Sequence, residues 1–395
     1  MTASPHRLYF LDWIRIFAFF VLIAYHTGMY YVSWGWHVKS AYASDTIEPL
    51  MMLSSPWRLG LLFLIGGVAA SRLLAKSGAG PFMRQRSARL LLPLLFGMLV
   101  IVPPQAWIEV MDRGGYEIGY LAFMERYLSA YQGFCKDGDC LLLPTWNHLW
   151  FLPYLWVYSL VLAIWTAVPQ RHFDHAAVRL AGMLHGWRIL AIPALVLGLL
   201  RVALAYRFPT THALIDDWYS HAIYLFLFLL GAVVARDDTF WARLDPLRWP
   251  ALALFIVCWA AMVVYYAVPY EVRSAGPLQR WDWCMLMVGG CCAWSAIVAV
   301  CAFGKRHANH DSPSRRYLVE ATFPVYILHQ TLIVTLAFAI KPADLAPAIE
   351  GPLLMAVTMC LSFAGFELVR RSALLRPLFG MRGDRSAAFT AVQAG

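Results

Sequence analysis

The stretch RIFAFFVLIAYH, Arg15 to His26, sets a permanently charged guanidinium and an imidazole at the two ends of ten residues with almost nothing polar among them. As a helix, eleven steps of about 100° make roughly three turns, so both side chains share one face, about 16.5 Å apart along the axis. Followed outward, the apolar run covers residues 8–30. That is long enough to cross about 30 Å of hydrocarbon, and it reads as a membrane helix. Ionisable groups inside a bilayer are costly and as a rule face a protein interior or a watery cavity. Arg15 and His26 are therefore a candidate site, with Asp12 one turn before Arg15 as an ion-pair partner. The plainer alternative is a snorkelling arginine and an interfacial histidine that share a face by coincidence.

The same reading extends to the whole chain. Of its 395 residues, 61% are hydrophobic and 14% charged, whereas a soluble globular protein carries about 25% charged residues. Further apolar stretches of spanning length fall near 52–73, 89–109, 148–169, 187–206, 218–236, 248–268, 282–303, 318–340 and 351–370. The expected fold is an all-α membrane protein, a polytopic bundle of about ten transmembrane helices. Residues 1–375 form a single transmembrane domain with an outer loop at about 110–147, and residues 376–395 form a short cytoplasmic tail. Ala41-Tyr42-Ala43 has the small-x-small look of a cleavage site. Arg15 interrupts the run before it, however, and that run is too long for a signal-peptide core, so the first helix is read as retained.

The net charge of +9 resides in short loops between apolar runs. This is the pattern of positive-inside topology and not of nucleic-acid binding. Loops on the side of both termini hold 21 Lys and Arg, and the opposite loops hold 8. Both termini are thus expected in the cytoplasm. Seventeen Trp and nineteen Tyr suit aromatic belts at the two interfaces.

The eight cysteines show no metal-ligand spacing, and no metal site is expected. Six of them, Cys258, Cys284, Cys291, Cys292, Cys301 and Cys360, lie in apolar runs as small hydrophobes. Cys135 and Cys140 bracket the polar loop CKDGDC, whose Gly138 suits a turn. On the outer, oxidising side such a loop favours a small disulfide.

Three more polar residues fall at the outer depth of His26. Arg58 lies about six residues into the second apolar run, His148 opens the fourth, and His329 sits just past the middle of the ninth. Singly each suits packing or capping. Together with His26 they suggest an internal polar chamber.

These residues resemble the integral-membrane acyltransferases of the acyltransferase-3 type. In that family the first helix carries an Arg, ten residues and a His, as Arg15 and His26 do. RLGLLFLIGGVAASRLL (58–74) is similar to the family's second helix, with Gly66-Gly67 in place of the usual Ser-Gly. RQRSARLLLPLL (84–95) resembles its basic loop entering helix 3, and PVYILHQTLIV (324–334) its late helix with a Tyr-x-x-His pattern. YFLDWIR (9–15), YHTGMYYVSWGWHVKSA (25–41) and NHLWFL (147–152) resemble the branch that succinylates osmoregulated periplasmic glucans.

The resemblance implies an enzyme of the bacterial inner membrane that moves an acyl group from cytoplasmic acyl-CoA to hydroxyls of a periplasmic glucan or related glycan. Acyl-CoA, either succinyl-CoA or acetyl-CoA, serves as co-substrate, and no cofactor stays bound. Arg15, Arg86 and Arg89 then take the anionic nucleotide end of the donor, since guanidinium forks match phosphate. His26 accepts the proton of the attacking sugar hydroxyl. His148 and His329 join it as catalytic candidates, and Arg58 is the cation for a free succinyl carboxylate. Trp36, His37 and Trp150 are candidates for the acceptor site, with Trp34 and Trp146 as further stacking surfaces.

The expected partners are acyl-CoA, a glycan and the lipid bilayer, with no nucleic acid, and self-association into a homo-oligomer is left open. An O-acetyltransferase of another envelope polysaccharide or lipid-linked sugar fits the same residues. A transporter of small anions or sugars would also explain buried charge. It would call for inverted repeats and broken helices in matching halves, and Pro103-Pro104 has no counterpart. A structural or sensor membrane protein gives the Arg15–His26 stripe no purpose.

The charge bias predicts the side of the C-terminus. A reporter fused after Gly395 should be active in its cytoplasmic form and silent in its periplasmic form. The opposite pattern would overturn the topology.

Overall fold

A computed structural model describes residues 8–136, 138–165, 170–237, 239–274 and 279–382. Asp137, Arg7, Arg385 and the tail from residue 383 onward lie outside the described residues. The chain is helical, with helices α1 (Tyr9–Tyr31), α2 (Arg58–Ser77), α3 (Ala79–Phe96), α4 (Pro103–Asp112), α5 (Tyr120–Leu128), α6 (Phe151–Trp165) and α7 (Arg188–Leu204). There follow α8 (Trp218–Val234), α9 (Arg248–Tyr266), α10 (Gln279–His307), α11 (Pro313–Ile340), α12 (Pro347–Arg371) and the one-turn α13 (Leu375–Leu378). Strands β1 (Cys135–Lys136) and β2 (Asp139–Cys140) pair antiparallel, with Cys135 opposite Cys140. A disulfide joins these two cysteines, and Gly138 takes the turn at φ +84°.

Every apolar stretch read from the sequence holds a helix, but they are not ten equal rods. Among the described residues seven helices are long and apolar enough to cross a membrane, and two bent pairs would bring the number to nine. The tenth stretch is α8, which has 17 residues. The third stretch, read as one helix over 89–109, bends by 41° between Ala79–Ile101 and Pro103–Asp112. Pro103 has no N–H to give. The turn before it opens to a π-helix over Gly97–Ile101, in which the Val102 amide reaches back to the Gly97 carbonyl at 2.8 Å. A π turn next to proline is a recognised cause of a kink. The fifth stretch is one helix, and ahead of it the chain turns by 105° between Ala177–Met183 and Arg188–Leu204, where Gly186 adopts φ +52°.

The residues form two compact units. The first comprises Met1–Val21, Glu48–Arg84 and Val157–Arg316. Its helices meet through glycine. A Cβ on Gly67 of α2 would lie 1.8 Å from the Phe228 carbonyl oxygen of α8, and one on Gly231 of α8 would lie 2.0 Å from the Leu64 carbonyl oxygen. Gly290 of α10 repeats the device against Gly198 of α7, at 2.4 Å. Lipid supplies no hydrophobic drive between helices, so close backbone approach at small residues carries the association.

The second unit comprises Leu22–Ile47, Gln85–Trp156 and Tyr317–Gly395. One core gathers Tyr30, Trp36, Ile108, Val325, Ile333 and Phe366. A satellite core under the long connection packs Ala106 and Val110 of α4 on Phe123 and Tyr127 of α5. Beyond α12 the chain turns back, Phe379 lies on Phe96 with ring centroids 5.4 Å apart, and Arg376 is buried.

The glycine crossings make a direct prediction. Gly67→Ala forces a methyl into a backbone carbonyl and should cost about 1–3 kcal/mol, as overpacking does. Gly80→Ala, where nothing lies within 4 Å, should be neutral. Thermal unfolding of the two purified variants in detergent checks the difference.

Candidate active site

The polar residues of the second unit converge on three histidines. His26 lies on α1, His148 in the 3-10 turn Asn147–Trp150 ahead of α6, and His329 on α11. His329 is fully buried and His148 is 6% exposed, whereas His26 is half-buried. His26 Nδ1 lies 2.8 Å from His329 Nε2, and the two rings stack 5° from parallel with centroids 5.0 Å apart. The His148 ring meets the His329 ring edge-on at 5.3 Å.

The hydrogen-bond partners set each tautomer. His329 Nδ1 is 2.6 Å from the Tyr326 carbonyl, which can only accept, so the proton of His329 is on Nδ1 and its Nε2 is an acceptor. His26 must therefore donate from Nδ1, which leaves the basic lone pair of its neutral ring on Nε2. His148 Nε2 donates to the Ile327 carbonyl at 3.0 Å, and the Tyr326 hydroxyl donates to the His148 carbonyl at 2.6 Å. A helical carbonyl has a second lone pair, so α11 can hold both imidazoles without giving up its own ladder.

Around these rings the polar groups are satisfied. Gln105 of α4, fully buried, uses its whole amide. Its Oε1 accepts from Asn147 at 3.2 Å and from Gln330 at 3.1 Å, and its Nε2 donates to Thr331 Oγ1 at 2.6 Å and to His148 Nδ1 at 3.4 Å. The Thr331 hydroxyl in turn takes the Ile101 carbonyl at 2.7 Å, in the π turn that Pro103 opens.

Gln330 also donates to His37 Nε2 at 3.0 Å, and His37 Nδ1 donates to Glu109 at 2.5 Å. Arg113 closes the chain on Glu109 at 2.9 Å. Lys39 caps the end of α1 by donating to the Met29 carbonyl at 2.6 Å and to the Val32 carbonyl. Burial, and then the charge of Arg113, brings its pKa down to about 8. A second buried carboxylate, Glu350, accepts the Tyr31 hydroxyl at 2.9 Å.

The first unit holds the cationic end of the sequence stripe. Asp12 is shared between Arg15, at 3.3 Å, and the buried Arg315. Arg315 is also held by Asp311 at 2.7 Å and lies over the Tyr9 ring at 4.9 Å. The Arg15 side chain is 29% exposed, and its Nε has no hydrogen-bond partner. Asp12 is thus an ion-pair partner of Arg15, as the spacing suggested, but it serves two arginines.

The other expected residues divide between the units. Arg58 is buried at the start of α2, in the first unit. Arg86 is half-buried and Arg89 exposed, both on α3 in the second unit. His37 sits within the polar network. Trp36 and Trp150 are each only 8% exposed and pack as core side chains, whereas Trp34 and Trp146 are half-exposed.

Sequence reasoning missed Glu109, Gln105, Gln330 and Asn147. Glu109 carried a usable signal, an acid inside an apolar run. Among the described residues no group of three or more His, Cys, Asp or Glu is placed to hold a metal ion.

The fold and the site together define a multi-pass membrane protein with a cluster of three histidines set in a polar network. Residues 8–367 match the acyltransferase domain family, and the chain belongs to it: the protein is a membrane acyltransferase. Curated relatives named glucans biosynthesis protein C align over 96% of this chain and 96% of their own length. The protein of Salmonella gallinarum (strain 287/91 / NCTC 13346) is 24% identical, and those of Salmonella typhi and Salmonella heidelberg (strain SL476) are 25% identical. No solved structure matches the chain.

Gln105 is the junction of the histidine network, and its loss should be felt in stability. Gln105→Leu keeps the volume but strands the buried groups of Asn147, His148, Thr331 and Gln330. The expected cost is about 2–4 kcal/mol, since each abandoned buried polar group costs about 1–3 kcal/mol and relaxation recovers part. Chemical unfolding in detergent micelles, compared with Gln132→Leu in the exposed loop, measures it.

Proposed function

We propose that the protein transfers an acyl group, succinyl in our reading, from cytoplasmic acyl-CoA to hydroxyl groups of a periplasmic glucan or related glycan across the bacterial inner membrane. The observation that carries the reading is the His26–His329 hydrogen bond. It presents His26 Nε2 as the basic nitrogen of a half-buried ring, backed by a second imidazole that accepts from Nδ1. A nucleophile-activating base held by a further oriented group is the recurring arrangement in acyl transfer.

The reaction balances within these groups. His26 Nε2 takes the proton of the acceptor hydroxyl as its oxygen attacks the thioester carbonyl carbon. The positive charge that forms on His26 is stabilised through Nδ1–H by His329 Nε2. Collapse of the tetrahedral adduct breaks the carbon–sulfur bond, and the imidazolium returns its proton to the leaving CoA thiolate. The products are an acylated sugar and free CoA.

Arg15 suits the anionic end of the donor because Asp12 is already engaged by Arg315, so Arg15 is only partly neutralised. Arg86 and Arg89 are further cations for the donor's phosphates, and Arg58 is the candidate for a succinyl carboxylate. On the acceptor side the half-exposed Trp34 and Trp146 offer ring faces, and His37 a polar contact. The names of the Salmonella relatives support the glucan acceptor.

Mass spectrometry of periplasmic and envelope glycans from cells with and without the gene tests the substrates. Loss of a succinyl increment is expected, loss of an acetyl increment would reassign the donor, and no change would sink the reading. In the purified enzyme, His26→Ala should retain donor binding while turnover falls by about 10²–10⁴. Arg15→Ala should chiefly weaken donor binding, and its fold should survive because Asp12 keeps Arg315. Arg15→Lys should rescue only in part, for want of the planar fork. Donor binding lost in His26→Ala but intact in Arg15→Ala would reverse the assignment.

A further inference from the structure

A groove on the first unit has no part in the chemistry above. It lies between α1, α9 and α10, holds about 470 Å³, and is lined by apolar side chains alone. The hollow exists because α10 presents Ala296, Ala299 and Gly304 where α1 presents Trp13 and Phe17. All three helices belong to segments of spanning length. Phe17, on the groove's edge, is 49% exposed, and Val257 and Val264 of α9 are exposed as well. Exposed apolar side chains on a spanning helix face hydrocarbon, so the groove opens to lipid and not to water.

Its length says what can lie in it. Along α10 the lining runs from Ala296 to Ala308, about 18 Å at the helical rise. One leaflet of a core about 30 Å thick is about 15 Å deep. The groove is therefore the length of one acyl chain. A spanning helix of a second copy, about 10 Å across and about 30 Å long, does not fit a hollow of this length and volume.

One end of the groove is cationic. Lys305 and Arg306 follow directly on Gly304, in the last turn of α10. Arg248 precedes Trp249, whose ring meets that of the groove residue Phe303 at 5.1 Å. Trp13 is pinned at the same end by donating Nε1–H to the His310 carbonyl at 3.2 Å. Three acids of this region are each shared by two arginines. Asp245 holds Arg248 at 3.1 Å and Arg306 at 3.6 Å, Asp12 holds Arg15 and Arg315, and Asp311 holds Arg315 and Arg316. Five arginines thus face these three carboxylates, and Lys305 adds a further positive charge.

We propose that the groove binds an anionic phospholipid, with one acyl chain along the small residues of α10 and the phosphate among the cations beside Lys305. An apolar slot one leaflet long supplies the chain contact. The excess of positive charge at its end selects an anionic headgroup over a zwitterionic one, as basic pockets between membrane helices do.

The test uses the full-length protein in nanodiscs, with phosphatidylglycerol or phosphatidylcholine carrying a photoactivatable diazirine in the acyl chain. Crosslinked peptides are mapped by mass spectrometry. Phosphatidylglycerol should label residues 296–308 of α10 and 13–17 of α1 above all other segments, and more than phosphatidylcholine does. Val300→Trp fills the groove from α10 and should abolish that labelling. Lys305→Gln alters only the charged end, so the fold should survive, and the preference for phosphatidylglycerol should fall about 5-fold, the effect of one surface cation. Labelling spread evenly over the exposed face of α9, or unchanged in Val300→Trp, would overturn the proposal. Equal labelling by the two lipids, indifferent to Lys305→Gln, would overturn it too. Val300→Trp that dissociates a dimer while lipid labelling stays unchanged would assign the face to a second copy instead.

Discussion

An imidazole buried among helices that face lipid has no water to fall back on. The His26–His329 hydrogen bond is therefore the constraint around which the second unit is arranged. His329 is held through Nδ1 by a carbonyl of its own helix, which fixes what its other nitrogen can do and in turn fixes His26. Each step is local, yet the last one orients a basic nitrogen on a different helix. In a medium of low dielectric a broken link exposes a polar group at full desolvation cost. That explains why the amide of Gln105 is engaged on every side and why His37 has an acid on one nitrogen and an amide on the other.

The two units are held by different physics. In the first, Gly67 and Gly231 let backbones come within van der Waals contact, and Gly198 with Gly290 does so again. Dispersion and backbone proximity supply the adhesion there, and they need only small residues in register. In the second, the helices are interrupted: α3 runs into a π turn and Pro103, and His148 sits in a 3-10 turn. These breaks release carbonyls that an unbroken helix would keep for itself. The Ile101 carbonyl, taken by Thr331, is one of them. The irregular backbone and the polar side chains are thus two halves of one requirement, since each satisfies what the other leaves open.

This division explains what could be read from the sequence. Apolar run length is set by bilayer thickness, so all ten stretches were legible. The 41° bend was signalled only by Pro103, and the 105° turn by little more than Gly186. His26, His148 and His329 stood out because a titratable ring in an apolar run is costly wherever it points, and they do converge. Gln105, Gln330 and Asn147 did not stand out. An amide in an apolar run costs less than a charge, and whether it meets another amide depends on tertiary pairing between residues up to 225 positions apart.

The arginines carry the argument one step further, because arginine cannot shed its proton to suit its surroundings. Lys39, half-buried at the end of α1, can yield part of its charge near pH 8. Arg315 has no such escape and is matched by two carboxylates, Asp12 and Asp311. Arg15 shares one of those acids and keeps part of its surface open. Arg376 is only 6% exposed, and among the described residues no acid pairs with it. Ordered in this way, the cations grade by the acids set against their burial. A permanently charged group withdrawn from water costs least where acids are set against its burial, as Asp12 and Asp311 are against Arg315.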